Sequence, residues 1–104
     1  MRIVMSANAR ADLRETLNFY RAPSQLADAF SYAFESGVSH LRQWPYTGHR
    51  RRDLTKEDVC FWFEDPFFLV VQIDGDKLSI LAVIHSSRDV STILRRRLKT
   101  LGSA

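Results

Sequence analysis

The sequence predicts an α+β domain in which a twisted antiparallel sheet packs against an N-terminal helix hairpin, with a further helix at the C-terminus. Two observations lead to this prediction. Apolar residues recur at helical spacing between residues 8 and 43, and three apolar runs then follow with only short turns between them. The predicted order is β-α-α-β-β-β-α, in a single domain over residues 1–104.

The first two elements are a short strand and an amphipathic helix. Residues 2–5 (RIVM) are rich in strand-forming side chains. Residues 8–21 place apolar side chains on one helical face. The members of that face are Ala9, Leu13, Leu17 and Tyr20.

A second helix is predicted to run from Pro23, which suits a first helical position, to about Gln43. Because the break between the two helices is short, we expect an antiparallel hairpin. Gly37 lies inside the second helix, which indicates either a close contact or early fraying. The apolar stripe of this helix consists of Leu26, Phe30, Phe34 and Leu41.

A loop and three strands follow. Residues 44–54 (WPYTGHRRRDL) contain a proline and a glycine that interrupt regular structure. The strands are predicted at 59–63, 67–73 and 78–85, and their separators EDP and DGDK are typical of hairpin turns. The last two strands are apolar on both faces, so each face needs cover. The helix hairpin covers one face, and we expect the other to bind a partner.

The last helix is predicted to begin near Ser87, a suitable N-cap, and to carry apolar residues inward. Those residues are Val90, Ile93, Leu94, Leu98 and Leu101. For the helix pair 9–43 on the sheet, the periodicity predicts core contacts by Leu17, Phe30, Phe34, Leu69, Val71, Ile80 and Ala82.

Composition limits the location and the partners. The single cysteine, Cys60, excludes an internal disulfide and favours a reducing compartment. Neither a secretory leader nor an 18-residue apolar run is present, so we expect a cytoplasmic protein without a membrane partner. The net charge is +3, and basic residues cluster in HRRR (49–52) and RRRLK (95–99). These clusters favour an acidic partner, either nucleic acid or protein, although the second also suits a solvated helix end.

Four segments together resemble a known family: ARADLRETLNFY (9–20), the P..GHRRRDL loop, the hairpin FFLVVQIDGDKLSIL (67–81) and AVIHSSRD (82–89). In this order they resemble the ParE/RelE superfamily of toxins from bacterial type II toxin–antitoxin modules. The resemblance covers nearly the whole chain. His85, Arg88 and Asp89 after the last strand are similar to the ParE branch.

The resemblance implies one of two activities. RelE-like members are ribosome-dependent mRNA endonucleases, whereas ParE-like members inhibit DNA gyrase without known hydrolytic chemistry. The strands at 59–63 and 67–73 carry no Lys, Arg or His, and no tyrosine follows Tyr46, so this chain departs from the RelE pattern. We therefore expect a toxin that binds and poisons DNA gyrase. The alternative is an mRNA endonuclease acting on the ribosome with an altered active site.

Under both activities the expected partner is a cognate antitoxin, ParD-like or other, in a hetero-oligomer. The glycines are scattered and the histidines lack zinc-site spacing, so no cofactor or metal is predicted. The target-binding candidates are Arg50, Arg51, Arg52, Arg88, Arg95, Arg96 and Arg97. If the chain is a nuclease, the catalytic candidates are His49, Arg51, His85 and Arg88.

Several of these candidate residues also have a structural interpretation. His85 is interpreted more readily as a strand-end histidine that hydrogen-bonds the backbone or Asp89. Arg88 and Asp89 are interpreted as a local ion pair at a helix start, where an acidic residue also suits the helix dipole. Three aromatic residues of the strands could form a platform that stacks on nucleic-acid bases. Core packing is favoured for them, because alternate residues of a strand face inward. The three are Phe61, Phe63 and Phe67.

Overall fold

The computed structural model describes residues 1–22 and 24–102. Its elements occur in the predicted order, and the α+β fold class is confirmed. They are β1 (Arg2–Met5), α1 (Ala7–Phe19), α2 (Ser24–Gln43), β2 (Cys60–Glu64), β3 (Phe67–Asp74), β4 (Lys77–His85) and α3 (Val90–Gly102). Pro23, the predicted first residue of the second helix, lies outside the described residues. In the described part of the chain, no helix is long and apolar enough to span a membrane.

The sheet has the strand order β1-β4-β3-β2. The strands β2, β3 and β4 form the predicted antiparallel meander. β1 adds a parallel pairing along β4, from Arg2 opposite Lys77 to Met5 opposite Ile80, so the sheet as a whole is mixed. This parallel pairing ends at Ile80, which leaves the last part of β4 without a neighbouring strand on that side.

β4 contains one residue more than β3 in the middle of their ladder. Val70 pairs with Ala82 and Val71 with Ile80, which leaves Leu81 without a partner. An extra residue of this kind reverses the side-chain alternation along its strand. Ile80 therefore packs towards the helix hairpin, whereas Ala82 packs on the opposite face. The predicted contact of Ala82 with the helix pair is wrong for this reason.

The helix hairpin packs on one face of the sheet, as predicted. Its core there consists of Ala9, Phe30, Leu41, Phe67, Leu69, Val71, Leu78, Ile80 and Val83, with Phe34 among the half-buried side chains around it. Leu17 and Leu26, however, are 38% and 48% exposed. They lie in the turns of α1 and α2 beside the helix connection. Their predicted inward position is wrong, because periodicity identifies a helix face but not how far the opposing sheet extends.

Gly37 marks a close approach between α2 and the sheet. A Cβ atom at this position would lie 2.8 Å from Cδ1 of Leu69, whose side chain is buried. The helix continues beyond Gly37 to Gln43. Of the two interpretations of this glycine, close contact is confirmed and early fraying is wrong.

α3 and the end of the long loop cover the opposite face. The buried residues there are Val59, Phe61, Val70, Ala82, Ile84, Val90, Leu94 and Leu98. The expectation that this face stays open for a partner is therefore wrong, because the chain covers it with its own last helix. Val90, Leu94 and Leu98 point inward as predicted, Ile93 is half-buried, and the side chain of Leu101 lies outside the described part.

Asp89 caps the N-terminus of α3. Its carboxylate accepts hydrogen bonds from the Thr92 amide (3.1 Å) and the Thr92 hydroxyl (2.7 Å). These bonds lower the pKa of Asp89, with a smaller contribution from the charge of Arg95. The prediction of Ser87 as the N-cap is wrong, since the helix begins at Val90. Sequence preference alone does not separate neighbouring Ser and Asp residues, because both are good N-caps.

Candidate functional site

The two basic clusters of the sequence meet in one groove. Residues 52–57 of the loop lie opposite α3, and the space between them is about 400 Å³. Arg52 and Lys56 line it from the loop, and Arg95 lines it from the helix. We call this the basic groove, lined by Arg52, Asp53, Leu54, Thr55, Lys56, Glu57, Ser91, Leu94, Arg95 and Leu98.

Backbone hydrogen bonds hold the loop in place. His49 forms an isolated bridge to the outer edge of β2, with its amide 2.9 Å from the Phe61 carbonyl oxygen and its carbonyl oxygen 2.7 Å from the Phe61 amide. The amides of Leu54 and Thr55 donate to the carbonyl oxygen of Arg51 at 2.9 and 3.0 Å. The loop is therefore ordered on the sheet and presents Arg52 at a fixed place.

Two arginines of the loop are engaged in ion pairs. Arg51 donates to both carboxylate oxygens of Asp53, at 3.0 and 2.8 Å, and its guanidinium carbon lies 5.7 Å from the ring centre of Phe68. The hydrogen bonds from Arg51 lower the pKa of Asp53. Arg50 pairs with Asp58. The exposed Arg52 has no part in the ion pairs of the described residues.

Arg97 does not point to solvent with its neighbours. Its guanidinium donates two hydrogen bonds of 2.7 Å to Asp12 of α1, and these bonds raise the pKa of Arg97. Asp12 is 5% exposed and also accepts from the Val83 amide at 2.9 Å, beyond the end of the β1–β4 pairing. The interpretation of the second basic cluster as a solvated helix end is therefore correct for Arg95 and Arg96, which are exposed. Arg97 instead connects α3 to α1 through its ion pair with Asp12.

Sequence reasoning missed Asp12. The available signal was its position three residues after Ala9, on the inward face of the first helix, where an acidic residue requires a partner. That signal predicts a buried carboxylate but does not identify Arg97, which is 85 residues away in the chain.

A second cleft lies between α1 and the end of β4, with a volume of about 430 Å³. We call it the aromatic cleft, lined by Asp12, Glu15, Thr16, Phe19, Tyr20, Phe67, Val83, His85, Ser87 and Arg88. Nδ1 of His85 accepts from the Ser87 amide at 3.0 Å and lies 2.7 Å from the Ser87 hydroxyl. The interpretation of His85 as a backbone-bonded strand end is confirmed.

The expected ion pair between Arg88 and Asp89 is wrong. Asp89 directs its carboxylate to Thr92, and Arg88 takes part in none of the ion pairs between described residues. Arg88 instead lines the aromatic cleft. The corner after β4 is held by backbone bonds, including one from the Arg88 amide to the His85 carbonyl oxygen at 3.0 Å.

The catalytic candidates are divided between two regions. His85 and Arg88 line the aromatic cleft, but His49 and Arg51 are not among its lining residues. His49 lies at the outer edge of β2, and Arg51 turns towards Asp53. Within residues 1–22 and 24–102, no three His, Cys, Asp or Glu side chains are grouped as a metal site.

The aromatic residues of the strands belong mainly to the core. Phe61 and Phe67 are 3% and 5% exposed and lie on opposite faces of the sheet. The preference for core packing over a base-stacking platform is confirmed for these two. Phe63 is 47% exposed and packs against Phe68, with ring centres 5.1 Å apart.

Comparison with known proteins gives two matches, one to a solved structure and one to a family model. A solved structure described as the chromosomal ParDE TA system from P. aeruginosa matches with a TM-score of 0.67 and 21% identity, covering 82% of this chain and 95% of that chain. This likeness shows a shared fold. No curated protein matches. The model of the family "ParE toxin of type II toxin-antitoxin system, parDE" matches residues 3–90. The match spans six of the seven elements, and the chain therefore belongs to the ParE toxin family.

Proposed function

We propose that this chain is the toxin of a type II toxin–antitoxin module and that it acts by binding and poisoning DNA gyrase. The observation that carries the proposal is the family match over residues 3–90. Two features of the chain support a binding mechanism. The basic side chains are distributed over a surface, and the neighbouring strands β2 and β3 offer no cationic side chains to a phosphate.

For the target-binding surface, we propose the basic groove and the exposed arginines beside it. Arg52 and Arg95 face each other across the groove, and Arg96 is exposed on the same helix. Arg50 and Arg51 on the same loop, and Arg88 in the aromatic cleft, are further target-binding candidates outside the groove. The pairing of Arg97 with Asp12 favours a supporting role, in which it fixes the position of α3. Charged surfaces of this kind act mainly on the association rate and on partner choice.

We also propose that an antitoxin encoded with the chain neutralises it in a hetero-oligomer. The solved structure with the same fold is described as a ParDE TA system, which supports a ParD-like partner. The helix hairpin exposes large apolar side chains, with Phe19 at 81%, Tyr32 at 77% and Leu26 at 48%. Exposed apolar patches of this kind are typical of interaction surfaces. Co-expression with the antitoxin should therefore increase the soluble yield of the chain.

The alternative function, an mRNA endonuclease acting on the ribosome, has one observation in its favour. His85 and Arg88 line the same cleft as Glu15, so a base and a cation are close to each other. Stabilising a pentavalent phosphate requires several preorganised donors around one point. The separation of His49 and Arg51 from that cleft favours the binding mechanism.

The two mechanisms are separated by induction of the chain alone in a bacterial host. Plasmid supercoiling and translation are followed together, and purified chain is added to gyrase in a supercoiling assay. We expect loss of supercoiling in both settings and reversal by the co-expressed antitoxin. Ribosome-associated mRNA fragments that disappear with His85→Ala, in the absence of any effect on gyrase, would contradict the proposal.

A further inference from the structure

The basic groove has cations on both of its walls. Arg52 and Lys56 lie on the loop side and Arg95 on the helix side. Asp53 is already paired with Arg51, so Glu57 is the remaining carboxylate among the described lining residues. The groove therefore carries an excess of positive charge in a confined space, where it attracts anionic groups from two directions.

We propose that this groove binds an extended acidic segment of the toxin's target protein, with two adjacent carboxylates that pair with its two walls. The inference deepens the proposed function and rests on it, because it specifies which kind of segment the toxin recognises. It also makes Arg52 and Arg95 a specificity-determining pair contributed by two distant parts of the chain.

The size of the groove selects an extended segment. An α-helix with its side chains is about 10–12 Å wide. A space of about 400 Å³ accommodates a few side chains but not a helix of several turns. In an extended chain, successive side chains point to opposite sides. Two consecutive acidic residues therefore direct one carboxylate to Arg95 and the other to Arg52 or Lys56.

The lining favours a protein segment over a nucleic acid. Nucleic acids bind to cations that follow the backbone and contact successive phosphates. Here the cations lie on the two walls of a short groove instead of in one extended row. The half-buried Leu54 contributes apolar surface to the lining, which suits the aliphatic parts of a peptide.

Both walls are positioned before a ligand arrives. The loop is bonded to β2 through His49, and α3 is held by its buried leucines and by the pair between Arg97 and Asp12. Preorganised groups bind more tightly because less conformational freedom is lost on association. Arg97 is thus a positioning residue for Arg95, two residues before it in α3.

The test is fluorescence anisotropy of two labelled peptides with the full-length chain. One peptide carries two Asp-Asp pairs in a Gly-Ser background, and the other carries the same number of Asp residues, each separated by one Ser. We expect the paired peptide to bind at least about threefold more tightly, because only adjacent carboxylates reach both walls. Equal binding of the two peptides would overturn the inference in favour of a nonspecific charge effect.

Charge reversal locates the binding site. Arg95→Glu should weaken binding of the paired peptide about tenfold, equivalent to about 1.4 kcal/mol. Arg52→Glu tests the loop wall and remains informative if the α3 variant does not fold. Arg14→Glu on α1, an exposed site, changes the net charge equally and should leave the affinity within about twofold of wild type. Equal losses in Arg14→Glu and Arg95→Glu would contradict the inference.

Two further measurements distinguish a failure of the groove inference from a failure of the proposed function. The first is the binding of a labelled single-stranded RNA. If the RNA binds more tightly than the paired peptide, and Arg95→Glu abolishes its binding, the choice of a protein segment is overturned. If wild-type chain inhibits gyrase supercoiling and both groove variants inhibit equally, the groove inference fails and the proposed function stands. If wild-type chain leaves gyrase unaffected while the peptide results hold, gyrase is the wrong target and the preference for acidic segments stands.

Discussion

Replacing Arg97 with methionine tests the connection between α3 and α1. The substitution keeps an unbranched side chain but removes the guanidinium that donates both hydrogen bonds to Asp12. The carboxylate of Asp12, 5% exposed, is then left with the Val83 amide as its remaining donor. A buried charge that loses its partner destabilises the folded state, because it is neither solvated nor compensated.

The expected loss in the free energy of unfolding is about 3 kcal/mol. Breaking a buried ion pair typically costs about 3–5 kcal/mol. The side chain of Arg97 is 24% exposed, so water reaches the pair and the lower end of that range applies. Small domains are stable by only about 5–15 kcal/mol, so this loss is a large fraction of the total.

Urea denaturation followed by the fluorescence of Trp44 and Trp62 measures the loss. With a denaturant dependence of about 2 kcal/mol per molar, the midpoint should fall by about 1.5 M. Arg96→Met is the matched control: Arg96 is exposed on the same helix, so its midpoint should change by less than about 0.3 M. Combining Asp12→Asn with Arg97→Met should show a coupling of at least about 1 kcal/mol. Equal midpoint shifts for Arg97→Met and Arg96→Met would refute the reasoning.

Three other outcomes are expected. Gly37→Ala should lower the free energy of unfolding by about 1–3 kcal/mol in the same urea assay, because the new methyl meets the buried Leu69, whereas Ser39→Ala on the exposed side of α2 should not. Asp89→Ala should lower the thermal midpoint at pH 7. Because folding lowers the pKa of Asp89, the stability that this carboxylate contributes is complete above about pH 4 and is lost as the pH falls further. Calorimetry of the wild type and the variant from pH 7 to 3 measures this difference in midpoint. Folded His85→Ala protein should keep appreciable inhibition of supercoiling, and a loss of about 10²-fold or more would favour catalysis instead.

The order of elements was predictable because its signals are local. Helical spacing in α1 and α2, and the two short turns of the meander, depend on residues a few positions apart. Local signals did not predict which face of the sheet each side chain of β4 lies on. The unpaired Leu81 shifts the alternation by one residue, and period-two reasoning assumes an uninterrupted strand.

The residues of the candidate site could be predicted from the sequence, but their arrangement in space could not. The sequence identifies two arginine clusters, but their meeting in one groove depends on the docking of α3 opposite the loop. Within the second cluster, Arg95 lines the groove while Arg97 binds a carboxylate on α1. Neighbouring arginines thus differ in role because successive helix positions face different directions, and the partner of each depends on tertiary packing.

The position of Asp12 has a consequence for the order of events during synthesis. When the ribosome has produced all four strands, α1 already places this carboxylate beside Val83, but the arginine that compensates it lies in α3, which follows all four strands in the chain. Until α3 emerges and docks, the nascent domain retains a buried carboxylate without its compensating cation. Docking of α3 therefore compensates this charge and covers the second face of the sheet in the same step.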